Sequence, residues 1–232
     1  VVAGDITMEK LKPLAEKYYG VIPAAPPTIR SRAKEPPQKA SRRVELKHKR
    51  VRQPVWQRTF VAPGLQWGEA KHTYPLEVLS DILGGGASSR LYRRLVIERK
   101  LAVSAGAYYS GDDRGPGRFV FSASPMDGVG MAELEEAVEK EIAEVLANGV
   151  TDAEVKRAAE RMQAEAVYAR DSLSGGARTL GAALASGLSI DDVEGWPERI
   201  AAVTPDQVKA AAAAVFAAPS VVTGLLLPEK GS

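Results

Sequence analysis

Cysteine is absent from the 232 residues, which excludes disulfides, thiolate metal sites, iron–sulfur ligation and a cysteine nucleophile. Histidine is nearly absent, with only His48 and His72. A protein-bound zinc takes three or four ligands, so a histidine-rich metal site cannot be built from this chain alone. No run of about 18 apolar residues occurs, so no membrane span is expected. No secretory signal is legible either. A soluble protein is expected, with the compartment left open. Charge of one sign is also missing: 31 basic and 29 acidic residues leave a formal +2, which suggests no polyanion partner for the chain as a whole.

What is present is ordinary for a globular chain, 45% hydrophobic and 26% charged, enough to bury a core. The charge is unevenly spread. Between Thr28 and Arg58 stand eleven basic residues, opposed only by Glu35 and Glu45. This stretch is broken by Pro36 and Pro37 and later alternates with apolar residues. It therefore reads as a solvated linker followed by an edge strand kept soluble by lysine and arginine. It lacks the aromatic interleaving of single-strand nucleic-acid binders, and no nucleic-acid partner is expected.

Val1-Val2-Ala3-Gly4 reads as the end of an apolar strand, and Leu11, Leu14, Ala15 and Tyr18 follow at helical spacing up to Gly20. Pro23, Pro26, Pro27, Pro36 and Pro37 favour an extended connection. The expected organisation is a remnant of a preceding domain over 1–24, a proline-rich basic linker over 25–41, and one domain over 42–232. In that domain, strands are expected near 43–49 and 55–62, with a helix from Pro75 to Leu83 ended by Gly84-Gly85-Gly86. A second helix runs from Ser88 or Ser89, and a hairpin pairs 103–109 with 118–123. Helices over 131–147, 151–169, 172–186 and 204–216 then precede a closing strand at 220–227. Thr151-Asp152-Ala153-Glu154 is a capping box. The order predicts an α+β fold, a mostly antiparallel sheet with helices packed on one face.

The glycine run 84–86 has no Walker lysine and follows a helix where nucleotide fingerprints require a strand, so a tight turn is expected. Neither histidine stands in an H-x-x-E-H or H-E-x-x-H string, and no G-x-S-x-G elbow occurs. Asp112-Asp113 lies in a turn and Asp191-Asp192 at a helix start, each with a local explanation.

The string Gly84-Gly85-Gly86-Ala87-Ser88-Ser89-Arg90-Leu91-Tyr92-Arg93-Arg94-Leu95, then Glu98-Arg99-Lys100-Leu101-Ala102 and the strand from Val103 to Tyr109, resembles the second, C-terminal domain of pitrilysin/insulinase-type zinc peptidases of the mitochondrial processing peptidase kind. Tyr18-Tyr19-Gly20-Val21-Ile22-Pro23, Gly149-Val150-Thr151-Asp152-Ala153-Glu154, Asp171-Ser172-Leu173 and Ala202-Val203-Thr204-Pro205 match further landmarks, and the resemblance covers nearly the whole chain.

The resemblance implies the non-metal-binding half of a zinc-dependent endopeptidase, forming part of a peptide-binding chamber and inert alone. Zinc, with its H-x-x-E-H ligands, is expected in an N-terminal domain of the parent, and no catalytic or metal residue is assigned here. The implied partners are the N-terminal half of the same protein, a second family subunit as a homo- or heterodimer, and a peptide substrate. Where some family members carry a substrate-clamping arginine and tyrosine, this chain has Val96 and Val103, so the clamp is expected in trans. Family members add peptide to a sheet edge, which nominates Ala105, Tyr108 and Tyr109, with Arg90, Arg93 and Arg94 as nearby positive charge. The alternative is a non-catalytic structural or interaction domain of the core-protein type.

Overall fold

The computed structural model describes residues 1–25, 36, 38–172, 174–219 and 221–229. Most of the proline-rich linker, Arg30, Arg32 and Lys34 among it, lies outside the described residues, as does Leu173. The first element, α1 (Met8–Tyr19), ends at Gly20 and buries no residue. Val1–Ala3 forms no strand, and among the described residues no strand lies beside it to supply a hydrogen-bond ladder.

Five strands make one open sheet: β1 (Arg42–His48), β2 (Val55–Ala62), β3 (Ala102–Ser110), β4 (Gly117–Pro125) and β5 (Val221–Pro228), in spatial order β1-β5-β2-β4-β3. All pairings are antiparallel except β1 with β5. The closing strand therefore does pair in the sheet, inserted between the first two. The α+β reading holds.

Period-two alternation decides which face is covered. Trp56, Phe60 and Ala62 of β2 and Phe119, Phe121 and Ala123 of β4 are buried on one face. The helices cover that face: α2 (Thr73–Gly84) packs on β3, α3 (Met131–Asn148) on β4, and α8 (Pro205–Phe216) on β2. Phe216 of α8 meets Phe60, Phe119 and Phe121 with ring centroids 5.2, 4.9 and 5.3 Å away, and each such aromatic burial contributes roughly 2–3 kcal/mol. Around them lie α4 (Asp152–Ala169), α5 (Gly175–Ser186), α6 (Ile190–Glu194) and α7 (Trp196–Ala201), of which α4 and α7 contact α2.

Local chemistry sets the helix limits. In α3, Leu134, Ala137, Val138, Ile142 and Val145 share the buried stripe, and Gly149, at φ 72°, turns the chain out of it. The capping box expected at Thr151 forms, with the Glu154 amide donating to Thr151 Oγ1 and the Thr151 amide to Glu154 Oε2. Two further boxes start α6 at Ser189 and α8 at Thr204.

The second expected helix differs. Residues Tyr92–Glu98 wind as a π-helix. The Arg99 amide donates to the Arg94 carbonyl and the Leu101 amide to the Leu95 carbonyl, while Lys100 takes a positive φ of 53°. This widened exit delivers the chain into β3.

Candidate functional site

The residues nominated from the sequence, Arg90, Arg94, Ala105, Tyr108 and Tyr109, lie at the start of the π-helical segment and on β3, beside the glycine turn. The triple glycine permits close packing. A Cβ on Gly84 would sit 2.0 Å from the Ala107 nitrogen and 2.3 Å from its oxygen, and one on Gly85 would strike Asp81. The end of α2 therefore lies directly against the β3 main chain at mid-strand. Arg161 of α4 pairs with Asp81 and donates to Ser88 Oγ at 3.0 Å, which ties the turn to the helical layer.

Arg90 and Arg94 are turned inward. Arg90 is only 9% exposed, and its guanidinium grips both Glu154 oxygens at 2.6 Å while reaching the Gly149 carbonyl at 3.3 Å. Burial alone would raise the Glu154 carboxyl, but Arg90 and the Thr151 hydrogen bonds outweigh it and hold the group at about 2. Arg94 bonds Glu141 and Glu144 of α3, each at 2.6 Å. Arg93, more exposed, pairs with Glu98 at 3.2 Å. The geometry gives Arg90 and Arg94 an architectural task, that of fixing the π-helix to α3 and α4.

The β3 residues divide by face. Tyr108 is 61% exposed on the helix-free side, in a row with Val120, Thr59 and Val222 across β4, β2 and β5. Tyr109 is buried and its hydroxyl donates to the Pro63 carbonyl at 2.5 Å. Ala105 packs, partly buried, against the core. One tyrosine is thus wet and the other packed. Val96 is packed against the core, and Val103 is exposed beside a register shift between Ala102 and Ser104.

The helix-free face carries Val44, Leu46, Leu226, Val61 and Tyr108, all substantially exposed. Gly224, Gln57, Ser122 and Gly106 form the row between Leu226 and Tyr108, so this is a mixed face with exposed apolar residues at its two ends, and no helix among the described residues covers it.

Sequence reasoning missed one cluster behind β3. Glu77 of α2 is half-buried and accepts from the Trp196 indole N–H at 2.7 Å. Burial, with the Asp112 charge adding to it, pushes its carboxyl up to about 7 despite that hydrogen bond. Burial and the neighbouring Asp113 raise Asp112 as well. Tyr109 is raised by burial and by both acids. No local motif announces this cluster, because its members come from α2, the β3–β4 turn and α7.

Neither histidine fits a metal. His48 Nδ1 accepts from the Arg50 amide at 3.2 Å, and burial, with Lys71 nearby, lowers His72. Among the described residues no group of three or more His, Cys, Asp or Glu could hold a metal ion, so these residues do not fit zinc and no step is derived through it.

The model of the peptidase M16 inactive domain matches residues 1–162. The chain belongs to the peptidase M16 family. It is a pitrilysin-type C-terminal domain. It is similar to a zinc protease of Mycobacterium leprae, at 27% identity over 207 residues, 86% of this chain and 39% of that protein. It is also similar to a zinc protease of Streptomyces coelicolor, at 32% identity over 154 residues, 65% of this chain and 32% of that protein. The crystal structure of a protease from Helicobacter pylori superposes with a TM-score of 0.87 at 20% identity, covering 97% of this chain and 54% of that one. The chain thus spans about a third of the length of the curated relatives it matches.

Proposed function

We propose that this M16 domain is the metal-free wall of a peptide-binding chamber in a zinc-dependent endopeptidase and has no hydrolytic activity by itself. The observation that carries the reading is the open sheet face on which Tyr108 stands 61% exposed, with Val44, Leu46 and Val61 exposed elsewhere on it. An unfolded peptide has apolar side chains to bury and no fixed shape, and a broad sheet face accepts such a ligand without demanding one sequence. Ala105, Tyr108 and Tyr109 belong to the strand beneath the peptide. Tyr108 touches it, whereas Arg90 and Arg94 hold that strand's entry in place. Because Gly84 occupies the β3 main chain at Ala107, the peptide lies across the face at that point.

Zinc belongs, in this reading, to an N-terminal half of the same protein, and a second family subunit supplies the clamp that Val96 and Val103 cannot. The zinc proteases of Mycobacterium leprae and Streptomyces coelicolor among its relatives support a bacterial enzyme. The test is photo-crosslinking with an unstructured peptide bearing a benzophenone. Labelling should fall on Tyr108 and its neighbours across the helix-free face and drop at least fivefold in Tyr108→Ser. Labelling confined to the outer surfaces of α3 and α4 would contradict the proposal.

A further inference from the structure

The edge of the sheet opposite β3 presents a different surface. β1 pairs with β5 on one side, and its other edge pairs with no strand among the described residues. Six of its seven residues are exposed, so both faces and the outer main-chain groups are open. An unpaired edge is a template for another strand, and its occupant is selected by the side chains beside it.

Those side chains are basic. From Gln38 to Gln53 there are seven basic residues and one acid. Arg43 is tied to Glu135 at 2.9 Å, and Lys47 touches Glu45 at 3.0 Å. Lys39, Arg42, Lys49, Arg50 and Arg52 have no ion pair among the described residues. Two copies of β1 side by side would bring these cations together, which opposes self-pairing. The same charges favour an acidic strand.

The register adds a pattern. Val44 and Leu46 lie on the helix-free side, level with Gly224 and Leu226 of β5, and are 59% and 57% exposed. Arg43, Glu45 and Lys47 project to the opposite side. A strand laid along β1 would bury apolar residues against Val44 and Leu46 and set acids beside Arg42 at one end of the strand and Lys47 and Lys49 at the other.

We propose that the outer edge of β1 accepts an extended segment of alternating acidic and apolar residues as an added strand. Val44 and Leu46 also lie on the face proposed as the chamber wall, but the β1 edge is distinct from the Tyr108 contact, since β1 and β3 bound opposite sides of the sheet, roughly 19 Å apart at normal strand spacing. It stands whether or not the chamber reading does. Main-chain hydrogen bonds supply affinity, the two apolar residues set the register, and the cations choose the sign of the partner.

The test is fluorescence anisotropy of the 232-residue protein with a labelled peptide alternating glutamate with valine and leucine. Saturable binding is expected. It should weaken at least tenfold when glutamine replaces each glutamate and at least tenfold when alternate peptide nitrogens are methylated. A similar loss is expected in the Lys47→Glu/Lys49→Glu variant, with its circular dichroism unchanged because both sites are exposed. Four results would overturn the proposal: no saturable binding, equal binding of a shuffled peptide of the same composition, full binding by the double variant, or tighter competitive binding by a single-stranded oligonucleotide.

Discussion

Replacing Glu77 by Gln should stabilise the protein above neutral pH. Glu77 is raised from 4.5 to about 7, chiefly by burial, with Asp112 adding to it. At 1.36 kcal/mol per pKa unit that displacement corresponds to about 3 kcal/mol. The side chain keeps some contact with water, so solvent screening reduces the usable figure to about 1–2 kcal/mol. The folded state holds a proton that the unfolded state releases near pH 4.5. The stability that Glu77 contributes is therefore complete below about 4.5 and is lost as pH rises through about 7. Gln carries no charge yet keeps an oxygen to accept from the Trp196 indole. Glu77→Gln should gain about 1–2 kcal/mol at pH 8 in urea titrations, or about 3–6 °C in melting temperature. The gain should shrink toward zero at pH 4.5. A variant equal to or weaker than the wild type at pH 8, or a difference that does not change with pH, would refute the reasoning.

Arg90→Ala should cost about 3–5 kcal/mol, because it leaves Glu154 without its buried partner. Urea titrations of each single variant and of Arg90→Ala/Glu154→Ala should show strong coupling between the two sites. Gly84→Ala should destabilise by about 3 kcal/mol or more, since the new methyl collides with the Ala107 main chain. Gly176→Ala, in α5 with open space around it, should instead gain roughly 0.5–1 kcal/mol, and thermal melts of the pair separate packing from helix propensity. Phe216→Ala should cost about 3–5 kcal/mol by emptying the centre of the aromatic cluster, again read by urea titration.

The legible parts of this molecule are those written in short-range patterns. Alternation at Trp56, Phe60 and Ala62 and at Phe119, Phe121 and Ala123 marks the sheet's covered face, and the boxes at Thr151 and Thr204 mark helix starts. The lysines and arginines of 42–52 mark an edge strand before any topology is known. Contacts between distant segments leave no such trace. Arg90 and Arg94 look like surface cations because their acids, Glu154, Glu141 and Glu144, lie on helices far along the chain. The π-helix reads as an ordinary helix because Leu91, Leu95 and Val96 keep helical spacing, while its widening depends on Arg94 and Leu95 accepting from residues five and six positions on, respectively. The parallel pairing of β1 with β5 joins opposite ends of the domain. Glu77 carries no local sign of its burial, since Trp196 and Asp112 arrive from other elements.

This M16 domain has the fold of a peptidase half, and in the proposed reading it has no hydrolytic activity by itself. Incubating the purified 232-residue protein with zinc and a fluorogenic unstructured peptide tests it most directly. The expected result is no turnover above the zinc-only background. Turnover that survives repurification and is abolished by a chelator would contradict the account.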